Sequence, residues 1–191
     1  MKRRMLLLLA LPFAIGACNN EGKDSVEKAD SLNTAKTDSA TQHPVITTDE
    51  ESTTFLVHAA NGGMAEVQLG ELASQKAVNA KVKDFGKMMV NDHSMANDKV
   101  KTLAAQRNVT LPDSVGNEKK KELDDMMMKK GTDFDKAFMK KMVNDHETTI
   151  DMFSQASDKV NDPEVKTFID NTLPKLKMHL DSAKAIQKMI K

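Results

Sequence analysis

The sequence predicts an all-α fold: four long helices in an up-down-down-up bundle, with a short extra helix in the long crossover. Three observations predict it. Inward residues recur at spacings of three and four through four long segments, the period of a helix with one buried face. Strand signals are absent, with no alternating β-branched runs and no Asn-Gly hairpin turns. A long middle connector separates two short ones, and a 53-residue repeat falls on the helices that flank it. A connector that runs the length of the bundle leaves those two helices parallel, which is the ferritin-like order.

The N-terminal element is a signal peptide over 1–17. A basic head, Met1-Lys2-Arg3-Arg4, precedes an apolar run from Met5 to Ala14 that is too short to span a bilayer. Ile15-Gly16-Ala17-Cys18 then matches the bacterial lipobox, so Cys18, the chain's one cysteine, is read as the lipid-attachment residue. Two or more acyl chains, each buried methylene adding about 0.8 kcal/mol, make a durable anchor. The expected partner is therefore a membrane and the expected place the cell envelope. Asn19, where an Asp would retain many lipoproteins at the inner membrane, favours the outer membrane; whether the domain faces the periplasm or the surface is open. With Lys2, Arg3 and Arg4 removed, 25 basic residues stand against 28 acidic ones, a net charge near −3 that gives nucleic acid no purchase. Trp and Tyr are absent, so no aromatic platform serves bases or sugars.

Residues 18–48, the lipidated cysteine and a Ser-, Thr-, Asp- and Lys-rich stretch, read as a disordered tether with too little apolar surface to offset ordering. The bundle domain occupies 49–191. Thr48 with Glu51 resembles a capping box and opens helix one, 49–77, whose inner stripe is Phe55, Ala59, Gly62, Glu66, Leu69 and Ala73. Gly62-Gly63 is expected to allow close helix approach. Helix two, 79–107, turns Val82, Phe85, Met89, His93, Ala96, Val100 and Leu103 to one face. In the connector, Asn117 to Lys130 forms the short helix, stopped by Gly131, with Met126-Met127-Met128 packed beneath it. Helix three, 133–157, presents Phe134, Phe138, Met142, His146, Thr149 and Phe153. Asp162-Pro163-Glu164 caps helix four, with its seam at Val165, Ile169, Thr172, Leu176, His179, Ala183, Ile186 and Ile190 and with Pro174 inside it.

The repeat pairs Phe85, Lys87 and Met89-Val90-Asn91-Asp92-His93 with Phe138, Lys140 and Met142-Val143-Asn144-Asp145-His146 at a constant offset of 53. It predicts that helices two and three are pseudo-symmetric and hold the two histidines at similar depth. These motifs, together with the run from Ala59 to Gly70, Leu111-Pro112, and Thr172-Leu173-Pro174 with His179, resemble the bacterial family called domain of unknown function 4142 over roughly 50–188. The resemblance implies an exported protein with a ferritin-like bundle and no established activity.

Each long helix places one donor on its inner stripe: Glu66, His93, His146 and His179. Imidazole and carboxylate suit zinc, copper or iron, and bundle cores house such sites. By axial counting Glu66 and His93 fall level, whereas His179 lies about 7.5 Å beyond His146. Met89 and Met142, one turn before His93 and His146, are accessory soft donors on a copper reading and core filler otherwise. The competing account has the two Asn-Asp-His motifs bonding each other across a helix contact. Val90 and Val143 replace the carboxylates that a di-iron site needs three residues before its histidines, so ferroxidase chemistry is not expected. Gly-x-Ser-x-Gly and a phosphate-binding loop are absent as well. The chain is therefore read as non-enzymatic, with a binding or structural role in the envelope; the alternative is a bundle-core metal-binding protein.

Overall fold

Amphipathic periodicity becomes six helices: α1 (Ser25–Asp38), α2 (Glu50–Lys76), α3 (Ala80–Gln106), α4 (Asn117–Met127), α5 (Gly131–Lys159) and α6 (Pro163–Met189). The structure, a computed structural model, describes residues 23–38 and 47–190, and among these there is no strand. The signal peptide and Cys18 lie outside the described residues. Helices α2, α3, α5 and α6 agree with the four expected segments to within two residues at each shared boundary.

The ends differ in detail. Asp49 rather than Thr48 caps α2, accepting from the Ser52 backbone N–H at 3.0 Å and from its hydroxyl at 2.6 Å. The Thr48 hydroxyl instead donates to Asp162, the cap of α6. Asp162 caps as expected, accepting from the Glu164 and Val165 N–H groups. Gly131 does not stop α4, which ends four residues earlier at Met127; it begins α5 at φ +56°, a left-handed conformation that glycine adopts without strain. Met126 is buried as expected, but Met127 and Met128 are exposed.

The expected disorder of the tether fails for 25–38, which form α1. Its apolar contribution is small, with Ala29 buried and Val26 partly so. Polar bonds to the connector supply the rest. The Asn33 amide donates to the Thr110 carbonyl at 2.9 Å and accepts from the Thr110 N–H at 2.7 Å. Lys36 donates to the Asn108 carbonyl and Ser25 to that of Ser114. Hydropathy patterning cannot register an element held this way.

Helix α2 packs against α3 and α5, and α6 packs against α5 and α3. At one end Arg107, closing α3, bonds Asp162 and Glu164 at the start of α6. At the other, Asp135 early in α5 accepts from the N–H groups of Val78 and Asn79 between α2 and α3. The 53-residue offset relates α3 to α5, and a 113-residue offset relates α2 to α6: Asp49 to Asp162, Phe55 to Phe168, Leu56 to Ile169 and Glu66 to His179. Equivalent rings face one another, Phe85 with Phe138 and Phe55 with Phe168, each pair at 6.3 Å between centroids. Two apolar clusters result. One gathers around Phe55, Val100, Phe153 and Leu176, the other around Met89, Phe134, Phe138, Met142 and Ala183. On α3, α5 and α6 a histidine lies between the residues of the two clusters.

Candidate metal centre

His93, His146 and His179 project from α3, α5 and α6 into the layer between the clusters, at exposures of 8%, 1% and 1%. Their ring centroids are 5.4 to 5.8 Å apart. One ring nitrogen from each lies within 4.8 Å of the other two. Axial counting sets His179 too far out because it follows Cα positions. Side chains lean toward the N-terminus of their own helix, and α5 and α6 lead away from the junction near 160 in opposite chain directions. His179 therefore leans toward that junction and His146 away from it, which closes the gap.

The partners of these rings fix where their lone pairs point. His146 Nδ1 lies 2.8 Å from the Met142 carbonyl, which can only accept, so Nδ1 carries the hydrogen and Nε2 the lone pair. His179 Nε2 lies 2.9 Å from Asp92 Oδ2, so it donates to that carboxylate and leaves its lone pair on Nδ1. Those two lone pairs, on His146 Nε2 and His179 Nδ1, face each other at 3.4 Å. In the neutral rings no hydrogen lies between them. Burial pushes His93 down to about 3 and His146 down to about 4, and it lowers His179 against the opposing pull of Asp92, so protonation does not supply one. His93 Nε2 is buried without a partner.

Asp92 is held below the ordinary carboxylate value: burial works to raise it, and bonds from His179, Lys175 and Asn91 outweigh burial. The two Asn-Asp-His motifs thus do not bond each other. Asp92 serves His179 and Lys175, whereas Asp145 pairs with Lys141 at 3.0 Å. No spacing or repeat offset in the sequence marks Asp92 as the partner of His179, 87 positions away.

Glu66 is also buried, at 7% exposure, but stands outside the three-histidine group. It shares with His93 and His179 the wall of a cavity of about 60 Å³. Burial, reinforced by Asp145 and opposed by Lys141, pushes its carboxyl up to about 8, and its Oε2 has no partner. Met89 and Met142 are fully buried within the apolar cluster around Phe134 and Phe138, the environment of core filler. His58 is exposed, and His43 lies outside the described residues.

The family described as a domain of unknown function, DUF4142, matches residues 34–186, and the chain belongs to that family. Among curated proteins none matches. Two solved structures are similar. "CopM in the Cu(II)-bound form" has a TM-score of 0.64 and 18% identity, covering 73% of this chain and 97% of that one. "CopM in the Cu(I)-bound form" has a TM-score of 0.61 and 18% identity, covering 70% of this chain and 93% of that one. At this identity the likeness is one of fold.

Proposed function

For this member of the family we propose a non-enzymatic, metal-binding role: His93, His146 and His179 hold a transition-metal ion, copper in the first place, in the core of an up-down-down-up, ferritin-like bundle. The bundle is tethered to the envelope, at the outer membrane, through lipidated Cys18. The carrying observation is the pair of opposed lone pairs at 3.4 Å. Two imidazole nitrogens bound tetrahedrally at 2.0–2.1 Å to one ion stand about 3.35 Å apart, so a cation turns a repulsive contact into two bonds. The rings are neutral at pH 7, as ligands must be. Asp92 and the Met142 carbonyl fix the orientation of His179 and His146, as partners of ligating histidines do. Three nitrogen donors suit copper, zinc or iron; copper(II) binds such sets most tightly, and the two structures of similar fold carry copper. The ferritin-like order is supported by the end contacts of Arg107 with Asp162 and of Asp135 with Val78, which make α3 and α5 run the same way.

Titration of copper and zinc into chelator-stripped protein tests this reading. Wild type should take up one equivalent with a Kd below about 1 μM, roughly 8 kcal/mol. His93→Ala, His146→Ala and His179→Ala should each weaken binding steeply, and Asp92→Asn by about 10- to 100-fold. Wild-type binding weaker than about 10 μM would return the histidines to a purely structural role. In that case His146→Gln costs about 1–3 kcal/mol of stability whether or not chelator is present.

A further inference from the structure

We infer that the metal site keeps an open coordination position that takes a small exogenous ligand: water, hydroxide or a compact anion of a few atoms. This rests on the metal reading above. Three helices of the bundle each give an imidazole, whereas α2 gives Glu66, in register with His179 but outside the ligand group. Three protein donors with a vacant fourth position is the pattern of zinc and copper sites that bind outside molecules. Beside His93 and His179 lies the cavity of about 60 Å³, enough for about two waters at roughly 30 Å³ each. Two buried polar atoms without partners, Glu66 Oε2 and His93 Nε2, belong to residues that line it. Buried polar atoms take partners, and a metal with its own small ligand supplies both, the metal to His93 and the ligand to Glu66.

On the α3–α6 side only a shared wall separates the cavity from the surface. A surface groove between α3 and α6 shares Asp92, Ala96, Phe168, Thr172 and Lys175 with the cavity wall. Lys175, which also pairs with Asp92, gives this approach a cation, which suits a compact anion. On the α2–α5 side another surface groove shares His58 and Met152 with the cavity wall, and further along α4 lies against both helices, with Lys141 bonding Glu122 and Asp145.

Azide is a suitable probe. Full-length protein is loaded with copper(II), its copper content measured, and azide titrated while the azide-to-copper charge-transfer absorption is followed. Wild type should give a saturable band with copper retained. Ala96→Leu, which adds bulk to that shared wall, and Glu66→Leu, which removes the polar wall group, should each weaken azide by about tenfold at unchanged copper content. Full copper occupancy without an azide band would show a closed site and overturn the inference. So would unchanged azide affinity in both variants, or extraction of the copper by azide. A chain that bound no copper would sink the metal reading itself, and the open position with it.

Discussion

Glu66 is the residue at which the structure works against its own stability. In the folded protein its carboxyl holds a proton up to about pH 8, while an unfolded chain releases it near the ordinary value of 4.5. Stability from this group is therefore complete at low pH and lost as pH rises from about 4.5 to 8. At pH 7 the loss is about 3 kcal/mol. His93 and His146 act over a different range: their folded values lie below the ordinary 6.5, so the metal-free protein loses stability as pH falls below that point. Glu66→Gln removes only the first dependence. In urea unfolding it should be near neutral at pH 4.5 and should stabilise by about 3–4 kcal/mol at pH 7.5; an equal effect at both pH values would contradict this account. The sequence made the four inward donors legible, because each falls on a helical stripe. It could not show that three converge and one stands aside, since that depends on helix tilt and side-chain lean, which spacing does not encode.

Among the elements, α2 and α3 make the closest approach, and it is not where the glycine pair suggested. A Cβ on Gly62 would meet nothing within 4 Å, and one on Gly63 would meet only the end of the Asn97 side chain. The backbones approach at Gly70 and Gly86 instead. A Cβ on Gly86 would stand 2.7 Å from the Gly70 carbonyl and 2.9 Å from Ala73 Cβ, neither of which can swing away. The counterparts of Gly70 and Gly86 on α6 and α5 are Ala183 and Met139, so the pseudo-symmetry breaks at this contact. Gly86→Ala should therefore destabilise by about 1–3 kcal/mol despite the better helix propensity of alanine, whereas Gly62→Ala should stabilise slightly. Chemical denaturation of the two variants checks the contrast, and stabilisation by both would place the close contact elsewhere. The long helices were legible because each buries a stripe long enough to repeat. Helix α1 was not, since it docks through Asn33 and Lys36 rather than through an apolar face.

At the scale of the whole molecule, α1 changes how the proposed anchor relates to the bundle. The reading of 18–48 as a long tether would let the domain stand well off the membrane. With α1 docked on the connector from Ser25 onward, five residues separate Cys18 from Asp24, six Cα-to-Cα steps with a reach of at most about 21 Å. The lipid would then hold the domain near the bilayer. No helix among the described residues is long and apolar enough to cross a membrane, so attachment on this proposal depends on the acylated cysteine. Cys18→Ala should shift the protein from the membrane fraction to the soluble fraction. Its helical circular dichroism and unfolding midpoint should stay unchanged, because every core contact described lies beyond that residue. Fractionation in high salt is the decisive form of the measurement: salt screens surface charge contacts but leaves buried acyl chains in place. Wild type should remain with the membrane and the variant should not. Retention of Cys18→Ala in high salt would mean that an apolar surface or a protein partner holds the chain, and the lipid-anchor proposal would fall.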